Sequence, residues 1–300
     1  MRYKGRAPLR IDFGGGWTDV PIYAEAEGGA VLNAAITRYV RGSIGAASPL
    51  DLVHRLRGAR NYVSYGLDLP IGAGLGASAA QTVLWVALVK TAIANVADRD
   101  EIAEVACQIG SALGILGGKQ DEYASALGGI RYYTFGSEVR EESLSLSTPF
   151  VNQLRDRLVL VYSGQARLSA DIHGHVWSRF RSGEPSTVRA LAGLRQLAGD
   201  MKCALLASDV ESFAQLLNDN WFHQKSLHPS VTTQRLDDIF AVARHHGAQG
   251  GKACGAGGGG CLLFFAAEGQ SERLRAALKD CRLQLIDFGF DQHGVFITRG

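Results

Sequence analysis

No stretch of this sequence is apolar for long enough to suggest a membrane span. The longest run without a charge, residues 69–89, is broken by Pro70, three glycines, Ser78, Gln81 and Thr82. A span needs about 20 predominantly apolar residues, so this run reads as a loop followed by a buried helix. The opening MRYKGRAPLRIDF has neither an apolar h-region nor a small-residue cleavage site, and no targeting segment is expected. An excess of one charge is also lacking: 31 Lys and Arg against 29 Asp and Glu leave a net +2. No basic tract points to nucleic acid or acidic lipid as a partner, although a local basic pocket stays open. Cysteine is sparse, with Cys107, Cys203, Cys254, Cys261 and Cys281 odd in number, scattered and without a CxxC pair. That favours reduced thiols in a cytoplasmic protein, and argues against a disulfide framework or a structural zinc site.

What is present in excess is glycine, 37 residues in 300 and roughly twice ordinary usage. It is concentrated in three clusters. Hydrophobic content is ordinary for a soluble protein, and the length suits one large domain or two fused lobes.

Residues 31–47 and 61–69 read as strands, the second ending at Pro70. PIGAGLGASAA follows, then QTVLWVALVKTAIANVA, apolar on nearly every face and so a central helix, with Trp85 in the core. Asp100 is placed to cap a helix starting near Glu101. GGKQDEYASALGG has a helical centre between glycines, and IRYYTF and RLVLVYSG read as strands. Residues 169–246 are mainly helical, broken near 182–185 and at His228-Pro229. A last glycine cluster, GGKACGAGGGGCLLFFA, runs into a strand, then a helix (SERLRAALKDC) and a final strand near GVFITR. Strands and helices without βαβ alternation give an α+β class. The best boundary divides lobes at residues 1–155 and 156–300.

Four segments carry chemistry. In PIGAGLGASAA the glycines let consecutive N–H groups converge where a helix begins, which makes a phosphate cradle. It is not a Walker A loop, since no Gly-Lys-Ser/Thr follows. Ser78 could reach a phosphate-bound Mg²⁺, or simply cap the helix. In GGKQDEY a carboxylate could accept the proton of a substrate hydroxyl, or simply stabilise a helix N-terminus. Residues 255–260 hold five glycines and one alanine before a strand, which suggests close backbone approach to a ligand, or a flexible loop. RAPLRIDFGGGWTD sets Arg6, Arg10, Asp12, Trp17, Thr18 and Asp19 around three glycines. These could bind a polyol or an anion, or form a surface turn.

In this order the four segments resemble the GHMP kinases, named for galactokinase, homoserine kinase, mevalonate kinase and phosphomevalonate kinase. Ala7-Pro8-Leu9-Arg10 through Thr18-Asp19 keeps the frame of the galactokinase APGRxNxxGEHTD opening. PIGAGLGASAA resembles the family's PxGxGLGSSAA loop, and KACGAGGGG its third motif. Within the family the likeness is strongest to bacterial heptose-7-phosphate kinases, in RAPLRIDFGGG, GGAVLNAAI, GGKQDEY and SGQARLSADI. GGGWTD also resembles fucokinases.

The resemblance implies a two-lobed fold, with an N-terminal lobe bearing the ATP loop and a C-terminal ferredoxin-like lobe. It implies Asp121 as the group that orients or deprotonates the acceptor hydroxyl, and Arg10 as the cation on the transferred phosphoryl group. Gly72, Ala73, Gly74, Leu75, Gly76, Ala77 and Ser78 would bind ATP, with Ser78 on Mg²⁺. Gly16, Trp17, Asp19, Lys119, Gln120, Arg167, Ser169, Lys225, Gly257 and Gly258 would bind a sugar or sugar phosphate. Arg167, helped by Lys225 and Lys252, would clamp the sugar's own phosphate. Two departures stand out. Ala77 replaces a first serine, and Ile109-Gly110-Ser111 lies where many relatives carry a Mg²⁺-binding glutamate; Glu122 or Gln108 could substitute. An unphosphorylated sugar, a non-sugar alcohol or a non-catalytic sensor are the competing readings, and a homodimer stays open. His173-Gly174-His175 reads as surface or helix, His245-His246 as a helix end, and Cys254 and Cys261 as small buried hydrophobes.

Overall fold

The opening segment is a strand, although its charges hide the fact. The computed structural model describes residues 2–45, 63–69, 72–94, 98–165 and 169–300. In it β1 spans Arg2–Gly14, with Tyr3, Ala7, Leu9, Ile11 and Phe13 buried at the spacing of two that a strand requires. The alternate residues Arg2, Lys4, Arg6, Arg10 and Asp12 are charged, so the segment reads as polar. Only GGGWTD forms the expected turn. After α1 (Pro21–Glu27), β2 (Gly29–Gly45) runs antiparallel to β1 along almost its full length. β3 (Val63–Leu67) pairs with the outer half of β2. Residues 46–47 and 61–62 of the expected strands, with the segment between them and Pro70, lie outside the described residues.

Helices α2 (Ala77–Ala94), α3 (Arg99–Ala112) and α4 (Gln120–Leu127) follow, then β4 (Ile130–Phe135) and β5 (Val139–Ser143). The central helix is α2, burying Ala80, Val83, Leu84, Val86, Ala87 and Leu88 against the sheet; Trp85 packs on that core half-buried. The cap of α3 is Asp98 and not Asp100. Its Oδ1 accepts from the N–H groups of Asp100 and Glu101, so the helix starts two residues earlier than expected.

Next come α5 (Thr148–Arg157) and β6 (Leu158–Tyr162). The helical stretch resolves into α6 (Ser169–Arg181), α7 (Pro185–Leu206), α8 (Val210–Leu227), a 3₁₀ turn (Pro229–Val231) and α9 (Gln234–His245). Proline at the start of α7 and of the 3₁₀ turn marks both expected breaks. The chain closes with β7 (Ala248–Ala253), β8 (Cys261–Ala266), α10 (Ser271–Asp280), β9 (Gln284–Ile286) and β10 (Phe296–Arg299).

Two sheets result. The first has the order β10-β1-β2-β4-β5, with β3 also on β2, and the second the order β7-β8-β6-β9. Antiparallel pairing and the succession strand, helices, two strands, helix, strand make the second sheet ferredoxin-like. The final strand returns to the first sheet beside β1, so both chain ends lie in one lobe's sheet.

The lobes are fastened by a buried ion pair. Lys252 on β7 is fully buried, and its Nζ donates to the carboxylate and the backbone carbonyl of Asp12 on β1. The other carboxylate oxygen of Asp12 accepts from Gly255 N at 3.3 Å. Lys252 is therefore committed to Asp12 and is not available to a substrate. Removing one partner of a buried pair leaves the other charge uncompensated, so Lys252→Ala is expected to cost about 3–5 kcal/mol. Urea denaturation checks this; a loss below about 1 kcal/mol would show that the pair is not what joins the lobes.

Candidate active site

The glycine loop is shaped by what lies against it. Gly74 and Gly76 have φ of 75°, which side chains rarely adopt. A Cβ on Gly74 would stand 2.8 Å from Cys254 O, and one on Gly255 would stand 2.9 Å from Gly74 O. Backbone from the first and third glycine clusters thus packs face to face, one cluster from each lobe. Cys261 N–H donates to Ala73 O at 2.8 Å and completes the contact. This close approach is why the third cluster is glycine. The loop ends where α2 begins. Ser78 is the second residue of that helix, inside it and not its cap, with an exposed side chain. The unpaired N–H groups of a first helical turn open onto the end of this loop, an arrangement suited to phosphate.

Arg10 connects this cradle to the acidic segment. Its Nε donates to Asp121 Oδ1 at 2.7 Å, its Nη2 lies 2.6 Å from the same oxygen, and its Nη1 donates to Gly74 O at 2.7 Å. The Arg10 backbone N–H donates to Leu75 O at 3.1 Å. Burial opposes the guanidinium charge, but Asp121 and Asp12 overcome it and raise its pKa above the ordinary value. Asp121 is in the first turn of α4, as its helix-terminus reading expects, and also holds Arg10. The same carboxylate would be 3.1 Å from a Cβ on Gly76. Sequence positions 10, 76 and 121 therefore meet at one point.

Two further carboxyls surround that point. Asp19 accepts from Gln120 N at 3.1 Å and from Gln120 Nε2 at 3.3 Å. Burial first, and then the charge of Asp121, push it up to about 6 against the pull of the Gln120 N–H. Burial, followed by Asp121, likewise holds Glu122 well above the usual carboxylate range, and its Oε2 is buried without a partner. Among the described residues no group of three or more His, Cys, Asp or Glu is placed to hold a metal. Gln108 donates to Glu104, away from any such group.

The remaining candidates divide. Gly16 lies against the site, where an added Cβ would be 2.7 Å from Asp12 Oδ2 and 3.4 Å from Gln120 Nε2. Trp17 follows it, but its ring is buried between His173 and Trp177. Lys119 lies 3.6 Å from Glu104 and Lys225 lies 3.6 Å from Asp237, so both already have carboxylate neighbours. Gly257 and Gly258 are held by the 3₁₀ turn, Gly258 N donating to Val231 O at 2.6 Å. Ser169 opens α6, and Arg167 lies outside the described residues.

Sequence reasoning missed three amides. Asn220 Oδ1 accepts from Gly15 N, Gln224 Nε2 donates to Gly255 O, and Asn33 Nδ2 reaches Gln120 O. Their signal was present: Asn33 interrupts an apolar strand, and Asn220 and Gln224 are one helical turn apart beside Trp221.

Residues 39–129 match the GHMP kinases N terminal domain and residues 201–282 the GHMP kinases C terminal domain, together more than half of the chain. A D-glycero-alpha-D-manno-heptose 7-phosphate kinase of Campylobacter jejuni is 29% identical, over 97% of each chain. A bifunctional fucokinase/GDP-fucose pyrophosphorylase of Arabidopsis thaliana is 25% identical over 93% of this chain and 31% of its own length. The crystal structure of a D-glycero-D-manno-heptose 1-phosphate kinase of Bacteroides thetaiotaomicron superposes with a TM-score of 0.75 at 25% identity, over 99% of each chain.

The raised carboxyl of Asp19 has a measurable consequence. Between about pH 4 and 6 the folded protein keeps a proton on Asp19 that the unfolded chain has released. Stability from this group is therefore greatest below about pH 4 and falls as pH rises to about 6. Asp19→Asn does not titrate. The stability of wild type relative to this variant should fall by on the order of 3 kcal/mol from pH 4 to pH 7. Urea midpoints at the two pH values measure it, and a flat or rising difference would refute the burial effect.

Proposed function

The chain belongs to the GHMP kinase family, phosphotransferases with a hydroxyl acceptor, and from that premise we propose that it transfers the γ-phosphoryl group of ATP to the anomeric hydroxyl of a heptose 7-phosphate or a similar higher-sugar phosphate. The observation that carries this reading is the Arg10–Asp121 pair, set against both Gly74 O and Gly76 of the phosphate cradle. ATP phosphates lie on the loop of residues 72–78, where N–H groups and the α2 dipole neutralise them. Asp121 orients the acceptor hydroxyl and takes its proton as the new O–P bond forms and the bond to ADP breaks. Arg10, already on Asp121, stabilises charge on the phosphoryl group in transit. Asp19, Gly16, Lys119, Gln120, Gly257 and Gly258 would line the acceptor side.

The donor set suits Mg²⁺ only as an ion carried in on the nucleotide. Ser78 Oγ is exposed at the mouth of the cradle, and no protein cage surrounds it among the described residues. Phosphate oxygens and water supply the rest of such a shell. When bound, the ion would neutralise phosphate charge.

A second reading has its own support. Lys252 is spent on Asp12, and Lys225 is beside Asp237, which leaves Arg167 as the remaining cation of the expected phosphate clamp. An unphosphorylated sugar, as in the fucokinase-like relative, needs no clamp. An ADP-release assay over sugars and sugar phosphates decides between them. Higher kcat/KM for heptose 7-phosphate than for free heptose supports the first reading, and equal or lower values favour the second. Asp121→Asn should lower kcat by about two to four orders of magnitude with little change in ADP affinity. Turnover near that of wild type would remove Asp121 from the mechanism.

A further inference from the structure

Two buried amides on α8 stand in one hydrogen-bonded line between two glycines. Asn220 and Gln224 are 1% and 2% exposed and one helical turn apart. Gly15 N–H donates to Asn220 Oδ1 at 3.2 Å, Asn220 Nδ2 reaches Gln224 Oε1 at 3.5 Å, and Gln224 Nε2 donates to Gly255 O at 2.9 Å. The two ends fix the sense of the line. A backbone N–H can only donate and a carbonyl can only accept, so each amide has a single orientation that satisfies both neighbours. Phe213, Leu217, Trp221 and Leu227 of the same helix are buried and apolar. Apolar side chains at 220 and 224 would avoid the desolvation of two amides, so the pair is not there for burial alone.

The two glycines need support from outside. Gly15 has φ of 85° and Gly255 φ of 64°, backbone that glycine enters freely and so does not fix by itself. Gly15 opens the turn that carries Asp19, and its carbonyl accepts from Thr18 N at 3.1 Å and Thr18 Oγ1 at 2.7 Å. The same turn holds Trp17 at φ of 82°, strained backbone for a side chain of that size. Asp19 accepts from Gln120 N. At the other end Gly255 is held at both polar groups, its N–H by Asp12 and its carbonyl by Gln224. A Cβ on Gly255 would stand 2.9 Å from Gly74 O, the oxygen that also accepts from Arg10 Nη1. Arg10 is paired with Asp121. Followed from either end, the line reaches the first turn of α4, through Asp19 to Gln120 and through Gly74 and Arg10 to Asp121. The contacts form a closed circuit.

We infer, on the reading of the 72–78 loop and Asp121 given above, that Asn220 and Gln224 are positioning residues for phosphoryl transfer. They fix Gly255, and through it the Gly74 carbonyl that sets Arg10 between the phosphate loop and Asp121. They act through the backbone and Arg10, not on the substrate. Transfer is sensitive to such placement, since a displacement of about 1 Å can lower a rate by about 100-fold.

Heptose 7-phosphate, L-fucose and D-galactose serve as acceptor probes. Gln224→Met keeps the length of the side chain and removes its donor. It should lower kcat by about 10- to 100-fold for whichever sugar wild type uses best, with KM for that sugar and for ATP within about threefold. Asn220→Leu should lower kcat in the same way, and either variant tests the assignment should the other not fold. Because the two amides act as one line, the double variant should lose about as much as the worse single variant. Thr187→Val removes a different buried hydrogen bond to α8, from Thr187 Oγ1 to Leu227 O, and should leave kcat within about twofold of wild type. Unchanged kcat in Gln224→Met or Asn220→Leu, a loss confined to KM, single losses that multiply in the double variant, or an equal loss in Thr187→Val each overturns the assignment. If wild type turns over none of the three sugars, the kinase reading for these sugars fails, and amide hydrogen exchange decides the positioning separately. The N–H groups of Gly255, held by Asp12, and of Cys261, held by Ala73 O, should exchange about tenfold faster or more in Gln224→Met than in Thr187→Val. Equal protection in the two variants overturns the assignment.

Discussion

Two charged side chains on one strand organise this site. Arg10 and Asp12 are two residues apart on β1 and so project from the same face. Both are almost fully buried. Arg10 is fastened to the phosphate loop and to α4, and Asp12 to β7 and the third glycine cluster. Three regions far apart in sequence, the phosphate loop, α4 and β7 with the glycine cluster that follows it, are thereby held to a single short stretch of strand. Buried charges of this kind persist only when paired and hydrogen-bonded. Each of these has both an opposite charge and a backbone partner, which specifies the positions of the partners closely.

The acidic residues around the phosphate cradle are sorted by environment. Asp19 is buried and spends its oxygens on Gln120; Glu122 is held up by burial with one oxygen unmatched. Asp121 is partly exposed and in contact with a guanidinium. Three neighbouring carboxyls thus have different surroundings: one accepts at the helix entry, one is raised by burial, and one is paired with Arg10. Divergent environments for neighbouring carboxyls are the usual way a fold assigns proton transfer to a single group.

The lobes also share their packing. Trp17 and Val20 from the turn after β1 and Tyr23 of α1 belong to the same apolar cluster as Trp177, Trp221 and Phe240 of the helical layer. Leu158, Leu160, Phe213 and Phe265 join the cluster beneath the first sheet. The turn that carries Trp17 and Asp19 is therefore clamped on one side by the Asp19–Gln120 hydrogen bonds and on the other by stacked rings. Such support on both sides is what keeps a strained backbone in place.

Much of this was legible in the sequence. The α+β class, α2, α4, β4, β6, the broken helical layer and the phosphate loop followed from apolar spacing, proline breaks and glycine clusters, all of which act locally. The meeting of Arg10, Gly74 and Asp121 was reachable only through the resemblance of their motifs. β1 escaped because its alternate residues are charged, and the burial of Arg10 and Asp12 depends on partners 111 and 240 residues away. For the same reason Lys252 offered itself as a clamp cation and Trp17 as a sugar-binding ring, while His173 lies in a helix, one of the two places expected for it. The sequence by itself determined which elements form and which chemistry they bring. Only the tertiary structure decided which charges are already paired and which rings are buried, because pairing and burial depend on long-range packing and leave no local pattern in the chain.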